Sequence, residues 1–376
     1  MVGLNTTMTN EEKRRFLADV HSYCMERRPY DGAITFERAR RNEDTFWGDF
    51  HARFYPRLPK SLFKYRKPTD CAIRNLENDE AWFSRPEDFD DTMDSTINND
   101  VESELRRYEE NPAQVTLELS KAFVKAQAAA NGVEVDMSLV DEAFPLFRED
   151  GSFDEAAVKD YLVKKMPMNI VDECVARLRQ NTSAVLNGQV QEAVFEFLKN
   201  YLDINKKIRR EFFAFCLAEE SDNQAMWGLY ADESRGFCIE YVFPEDSFLS
   251  QRMLLNLFPI YYGEKPEIRF FDILVRGIYG KDKINGITCK DYEKWFISSH
   301  TKDPSYEFQK EWRITFDKSM GGNLQSFPFA TAITLGERID ENKANLLIEI
   351  ARTKGLKVYR RAISKSGSGI VISEIL

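Results

Sequence analysis

Short apolar runs and helical repeats of apolar residues alternate along this chain, a pattern that predicts mixed α and β structure. Two runs rich in aromatic residues stand near its middle, at positions 213–217 and 236–241. Turn-forming residues bound both runs, as is typical of buried strands. We therefore expect a buried strand at each of these positions.

The segment between these two strands is predicted to form a short helix. Asn223 can cap it, because a side-chain oxygen at this place accepts hydrogen bonds from the first free amides of a helix. Met226, Trp227 and Tyr230 follow at spacings of three and four, which puts the three large side chains on one face. At Gly236 the chain is expected to turn sharply, since this residue has no Cβ.

The same patterns predict further elements on both sides of this segment. Helices are expected between positions 8 and 55 and through most of 101–210, where apolar residues recur at helical spacing. Strands are expected at 62–66, 81–84, 258–262 and 312–316, followed by a closing strand, helix, strand and strand at 330–335, 341–354, 357–362 and 369–375. The chain is therefore predicted to be an α+β protein with a mixed or antiparallel sheet.

This order of elements predicts three regions. A helical N-terminal region covers residues 1–59, an α+β core covers 60–100 and 211–376, and a helical insertion covers 101–210. The insertion is long enough for contacts with a partner or with further copies of the chain.

Composition places the chain among globular proteins of the cytosol. Of its 376 residues 43% are hydrophobic, yet no apolar stretch is long enough to cross a bilayer, and the first residues lack the apolar core of a signal peptide. The six cysteines are scattered and the three histidines stand far apart, so a zinc site is not expected. The net charge of −10 argues against a surface that coats nucleic acid, although it allows a local basic patch.

An acidic cluster follows the strand at 81–84 and has two interpretations. Asp88, Asp90, Asp91 and Asp94 could hold a divalent metal, since hard cations bind carboxylate oxygens. They could also form an Asx turn and a helix cap, in which the side chains accept hydrogen bonds from nearby amides. No second acidic cluster with a neighbouring lysine completes a set typical of nucleases, so we favour the turn and expect no metal.

Familiar catalytic motifs such as GxxxxGK[ST], GxGxxG, GxSxG and HExxH are lacking from the sequence. The spacing of Asn223, Met226-Trp227, Tyr230-Ala231 and the run from Gly236 to Ile239 resembles the signature of a bacterial family known as domain of unknown function 2971. Residues 62–66, 81–91, 307–314 and 332–336 fit the same family in order and approximate distance. Members of this family often look like accessory or defence genes, and the resemblance therefore implies a toxic effector or a sensor.

A weaker similarity connects the chain with the ADP-ribosyltransferase superfamily. Seven residues stand in the order that the cofactor-binding and catalytic residues have in those enzymes, namely Tyr65, Arg66, Ser84, Trp227, Tyr230, Gln309 and Glu311. The resemblance implies that NAD is the substrate and that the first five of these residues bind it.

The same resemblance implies a role for each side chain. Arg66 would pair with the pyrophosphate through its planar fork, and Tyr230 or Trp227 would stack on the cationic nicotinamide ring. Glu311 would stabilise the charge that develops on the ribose as the nicotinamide–ribose bond breaks. Gln309, or Glu307 upstream of it, would position the acceptor, which is expected to be a protein or a nucleic acid.

Other interpretations of the same residues stay open. Glu311 and Arg313 can be structural residues that pair with charges on neighbouring strands, and the two aromatic residues of the short helix can be ordinary core residues. The protein would then be a non-catalytic module that binds a nucleotide or another protein. A metal-dependent nuclease is the third hypothesis, and it requires Asp90, Asp91 and Glu311 to gather around one metal ion. No interpretation involves a membrane.

Overall fold

The computed structural model describes residues 8–27, 43–98, 152–186, 209–210, 212–269, 289–317, 322–364, 366–367 and 369–376, together with a few single residues between 103 and 148. The chain divides into two compact units. The first comprises Met1–Thr96, Lys207–Pro266 and Trp295–Leu376, and the second comprises Ile97–Lys206 and Glu267–Lys294. The N-terminal helical region thus falls in the same unit as the sheet, and residues 267–294 fall in the second unit.

Helices and strands alternate through the part of the chain that the structure describes, and they confirm the predicted α+β class. The α-helices are α1 Asn10–Arg27, α2 Glu43–Phe54, α3 Asp70–Glu77, α4 Glu155–Val163, α5 Met168–Leu186, α6 Gln224–Tyr230, α7 Phe248–Leu254, α8 Cys289–Ser299 and α9 Glu341–Lys354. The strands are β1 Leu62–Arg66, β2 Glu80–Trp82, β3 Phe212–Ala218, β4 Phe237–Tyr241, β5 Leu257–Pro259, β6 Tyr261–Tyr262, β7 Thr301–Lys302, β8 Glu311–Asp317, β9 Leu324–Ser326, β10 Ala330–Leu335, β11 Lys357–Ile363 and β12 Ile370–Glu374.

A mixed sheet of eight strands forms the centre of the first unit. Its order is β12-β11-β10-β4-β1-β3-β8-β5, and its neighbours are antiparallel except for β10 and β11, which are parallel. A parallel pair needs a crossover, which α9 supplies between β10 and β11. The predicted closing elements and the mixed sheet are therefore confirmed.

The main hydrophobic core belongs to one face of this sheet. Alternate residues of neighbouring strands share a face, and on this face lie Phe215 and Leu217 of β3 and Trp312 and Ile314 of β8. Apolar residues of α1, α2, α7 and α9 belong to the same core. A smaller cluster, in which α6 packs on β1, β3 and β4, includes Trp227.

The sheet is split between two of its inner strands, β1 and β3. Strand β1 pairs with β4 along its whole length but meets β3 only where Phe63 lies opposite Ala218. Beyond that point Ser84 takes the place of β1, since its amide donates to the Ala214 carbonyl over 3.0 Å and its carbonyl accepts from the Ala214 amide over 2.8 Å. The Lys64 Nζ donates to the Cys216 carbonyl over 2.6 Å, which satisfies a strand acceptor that β1 leaves free.

The turn after α6 differs from the sequence-based expectation. Asn223 caps the helix as predicted, because its Oδ1 accepts from the amides of Ala225 and Met226 over 3.0 and 3.2 Å. The sharp turn, however, is made by non-glycine residues: Asp232, Glu233 and Ser234 have φ values of 52°, 53° and 66°. These values lie in the left-handed region, which glycine would adopt more easily.

Gly236 does not make the turn itself, as was expected, but allows the turn to lie close to the end of β1. A Cβ at this position would lie 2.1 Å from the Arg66 carbonyl oxygen and 2.9 Å from the Ala231 carbonyl oxygen. The residue must therefore lack a side chain, because the turn packs directly on the end of β1.

The described part of the second unit is helical, as predicted for this segment. Helices α4 and α5 pack together through an apolar cluster that includes Val158, Leu162, Val171 and Val175. The expectation of partner contacts through 101–210 falls mostly on residues outside the described ranges. Across the described residues, no helix combines the length and the apolar character needed to span a membrane.

Candidate functional site

A cavity opens where β1 and β3 separate. Its volume is about 220 Å³, and its walls come from β1, β3, α6, the segment from Trp82 to Asp94 and the stretch from Lys302 to Glu311. Six of the seven predicted site residues line it, namely Tyr65, Arg66, Ser84, Tyr230, Gln309 and Glu311. The fold thus brings early, middle and late parts of the sequence to one place.

Trp227 is the predicted site residue that does not line this cavity. Its side chain is fully buried, and its Nε1–H donates to the Ser221 carbonyl over 2.8 Å. The Arg361 guanidinium lies 4.4 Å from the ring centroid, and the Tyr65 ring meets it edge-on at 5.4 Å. Trp227 therefore packs beneath the cavity and offers no ring face to a ligand, which corrects the expectation that it stacks on a nicotinamide.

The hydroxyl of Tyr65 is also engaged by the protein itself. It donates to the Glu220 carbonyl over 2.7 Å and accepts from the Asn223 amide over 3.3 Å. Burial raises the pKa of this phenol, so it stays neutral. The interaction ties β1 to the start of α6 and so positions one wall of the cavity.

A chain of polar side chains crosses the cavity wall. Gln309 donates through Nε2 to the Tyr230 hydroxyl over 2.8 Å, and its Oε1 accepts from the Lys302 Nζ over 2.9 Å. Lys302 contacts Glu311 in turn, with 2.6 Å between Nζ and Oε2. Gln309, which was expected to position an acceptor, therefore already connects Tyr230 with a buried ion-pair network.

This network, which we call the buried quartet, consists of Asp94, Lys302, Glu311 and Arg313. Arg313 binds Asp94 through Nη1 and Nη2 over 2.7 and 2.6 Å, and its Nε donates to Glu311 Oε1 over 2.5 Å. Lys302 lies 3.3 Å from Asp94 and 2.6 Å from Glu311. Each of the four residues is buried, and the two cations balance the two carboxylates.

Both acids of the quartet are held ionised. Burial alone would raise the pKa of Glu311, but the charges of Arg313 and Lys302 outweigh it and the pKa is well below its usual value. The pKa of Asp94 is lowered in the same way, because the Arg313 guanidinium overcomes the effect of burial. Glu311 therefore cannot donate a proton near neutral pH, and each of its oxygens already has a cationic partner.

Two further cations, Lys64 and Arg66, line the cavity. They alternate along β1 on the side of the main core, and they lie 4.9 and 5.9 Å from the centroid of the Phe215 ring. Among the described residues neither has a carboxylate within 4.0 Å. Burial and the neighbouring charge of Arg66 lower the pKa of Lys64 to about 8, so it is still mostly protonated at pH 7.

The rim of the cavity has the opposite character. Asp88, Asp90 and Asp91 line it, together with the half-exposed ring of Trp82. Asp91 accepts from the Met93 amide over 2.8 Å, which fits the Asx turn favoured from the sequence. Asp94, by contrast, belongs to the buried quartet.

The requirement of the nuclease hypothesis is not met in the part of the chain that the structure describes. No group of three or more His, Cys, Asp or Glu residues there is placed to hold a metal ion. Asp90, Asp91 and Glu311 line the same cavity, but the charge of Glu311 is already compensated by Arg313 and Lys302.

Sequence reasoning missed Lys64, Lys302 and Trp82. Lys64 could have been noticed because the period of two in residues 62–66 puts it and Arg66 on the same face as Leu62, a core residue. Lys302 follows the end of α8 in a segment without periodic pattern, and nothing in the sequence indicates that it reaches Glu311. Trp82 stood within a predicted strand, where an aromatic residue is ordinary.

Part of the chain is similar to a known family. Residues 226–314 match the model of a family described as protein of unknown function (DUF2971). This segment contains Tyr230, Lys302, Gln309, Glu311 and Arg313, and it ends within β8. No curated protein and no solved structure matches the chain significantly, so the similarity to ADP-ribosyltransferases has no support from these comparisons.

Proposed function

We propose that the protein binds a phosphorylated small molecule of the nucleotide class in the cavity between β1 and β3. The observation that carries the proposal is the pair formed by Lys64 and Arg66, two cations on the cavity wall without a carboxylate partner among the described residues. On this proposal the protein is a nucleotide-binding module, the second of the hypotheses drawn from the sequence.

A bound anion would reduce the electrostatic repulsion between Lys64 and Arg66. Burial is the main cause of the lowered pKa of Lys64, and the like charge of Arg66 adds to it, since charges of the same sign repel each other more strongly where water is scarce. The buried quartet has no net charge, so it does not offset the positive charges of Lys64 and Arg66. A phosphate group would bind the fork of Arg66 and the ammonium of Lys64 together, which is a common way for proteins to hold phosphate.

The first test is the affinity for inorganic phosphate and for AMP, measured by calorimetry at low ionic strength. Lys64→Ala and Arg66→Ala are each expected to lower the affinity for both ligands by about 10- to 100-fold, since a hydrogen bond to a charged group contributes about 1.5–3 kcal/mol. Lys60→Ala is the matched control, because Lys60 is exposed, lies two residues before β1 and does not line the cavity. Equal affinities in the wild type and in both cavity variants would refute the proposal.

NAD cleavage is a second candidate, favoured by a separate observation. Arg66, Tyr230, Gln309 and Glu311, which the sequence predicted to converge, line the same cavity. The reaction would break the bond between C1′ of the ribose and the nicotinamide nitrogen, and water or an acceptor would form the new bond to C1′. Glu311 would have to accept a hydrogen bond from a ribose hydroxyl in addition to forming its two ion pairs. A carboxylate permits this, because its two oxygens have four lone pairs.

This candidate is tested by incubating the protein with NAD, alone and with a cell lysate, and measuring the release of nicotinamide. Loss of release in Glu311→Gln would support it. Because Glu311 belongs to the buried quartet, Tyr230→Phe serves as a second variant that removes a cavity hydroxyl and keeps the charges. No release by the wild type under either condition would eliminate the candidate and leave the binding proposal intact.

A further inference from the structure

Trp82 is placed unusually for so large an apolar side chain. It stands on β2 between Ala81 and Phe83, which are buried in the main core, and strand alternation therefore directs it away from that core. It is 47% exposed and lines the cavity. An exposed tryptophan beside an opening provides a flat surface on which an aromatic ring can stack.

The cavity is small and open to solvent, so part of a bound nucleotide can lie at its opening. Its volume of about 220 Å³ lies below the range of roughly 300–1,000 Å³ that is usual for sites of drug-sized ligands. A nucleotide that enters with its phosphate first would place the phosphate and sugar inside and its base at the opening. Trp82 stands there.

The charges along the cavity point in the same direction. Lys64 and Arg66 line its wall, whereas the carboxylates of Asp88, Asp90 and Asp91 line its rim. Ribose hydroxyls and a base amino group can donate hydrogen bonds to such carboxylates, but the additional phosphates of a polyphosphate chain would be repelled by them. The arrangement thus favours a ligand with one terminal phosphate.

From these observations we infer that the ligand class is a nucleoside monophosphate, bound with its phosphate at Lys64 and Arg66 and its base stacked on Trp82. This inference rests on the proposed phosphate-binding function and specifies its ligand. Trp82 acts as a specificity-determining residue, because it distinguishes a nucleotide from a sugar phosphate that lacks the base.

The experiment compares AMP, ATP, ribose 5-phosphate and inorganic phosphate on the wild type, Trp82→Ala and Trp82→Phe by calorimetry. In the wild type AMP should bind about 5- to 100-fold more tightly than ribose 5-phosphate, which is the usual effect of stacking one base on an aromatic side chain. Trp82→Ala should abolish this difference and leave ribose 5-phosphate unchanged, whereas Trp82→Phe should retain most of it.

Leu324→Ala is the matched control. Leu324 lies opposite Trp82 on β9, is 45% exposed and does not line the cavity, so its truncation should leave the affinities for AMP and ribose 5-phosphate as they are.

The outcomes separate this inference from the function on which it rests. Equal binding of AMP and ribose 5-phosphate by the wild type would overturn the role of Trp82 and leave phosphate binding standing. The inference would also be wrong if Trp82→Ala lowered the affinities for AMP and ribose 5-phosphate equally, or if the wild type bound ATP more tightly than AMP. Absence of binding for all four ligands would overturn both proposals.

Discussion

Replacing Arg313 by alanine is expected to lower the free energy of unfolding by about 3–5 kcal/mol, because the change leaves two buried carboxylates with one cation between them. Arg313 is 1% exposed and makes bonds to both Asp94 and Glu311. After its loss Lys302 can compensate one of the two acids. The other must either stay charged in a poorly solvated place or take up a proton.

Urea denaturation at pH 7 measures this effect, and Arg338→Ala provides the control. Arg338 forms an ion pair with Glu233 in which both side chains are more than half exposed, at 54% and 66%. Exposed pairs contribute about 0–1 kcal/mol, so the control variant should unfold nearly like the wild type. If the two variants lost similar amounts of stability, the buried quartet would not have the structural importance assigned to it.

The dependence on pH gives the same prediction a second measurement. In the wild type the pKa values of Asp94 and Glu311 are lowered by folding, so their contribution to stability is complete above about pH 4.5 and is lost as the pH falls further. In Arg313→Ala the uncompensated carboxyl should have a raised pKa in the folded state, and it gains a proton as the pH falls from 7 toward 5. The stability difference between wild type and variant should therefore narrow over this interval.

These properties of the quartet bear on its function as well as on stability. Asp94 was considered from the sequence as a metal ligand or a turn residue, yet it is a counter-ion of Arg313. The alternative in which Glu311 and Arg313 are paired structural residues agrees with their geometry, although the two also pair with each other along one strand. Any catalytic role of Glu311 must therefore operate within an ion-paired network, which is the reason for placing ligand binding ahead of NAD cleavage.

The strands and helices could be predicted because their signals are local. The aromatic runs that became β3 and β4, and the cap at Asn223, depend on residues within a few positions of each other. The predicted site residues also converged, with the exception of Trp227, since the order of elements along the chain limited where the strands could meet.

The cavity itself could not be predicted, because it depends on contacts between distant segments. The split between β1 and β3 arises where Ser84 replaces β1 as the neighbour of Ala214, and no local pattern indicates that exchange. Lys302 and its partner Glu311 likewise lie on β7 and β8, and the turn at Pro304–Gln309 between these strands brings the two side chains together. Tertiary contacts of this kind decide which charges remain paired and which face a ligand.

Gly236 and Gly228 form a matched pair of sites, eight positions apart, at which alanine should have opposite effects. At Gly236 the added Cβ would lie 2.1 Å from the backbone oxygen of Arg66, and a backbone atom cannot move away as the end of a flexible side chain can. Gly236→Ala is therefore expected to cost at least about 3 kcal/mol of unfolding free energy, the upper part of the range for overpacked positions. It should also weaken phosphate binding, since the displaced strand end carries Arg66.

Gly228 lies within α6, is exposed and has no atom within 4 Å of an added Cβ outside its own helix. Gly228→Ala should therefore raise the free energy of unfolding by up to about 1 kcal/mol, because alanine is the better helix former and loses less backbone entropy on folding. Urea denaturation and phosphate calorimetry on both variants check the contrast. A stable Gly236→Ala with unchanged phosphate affinity would mean that the turn after α6 does not hold the end of β1 in place, and the cavity wall would then have to be positioned by the pairing of β1 with β4 alone.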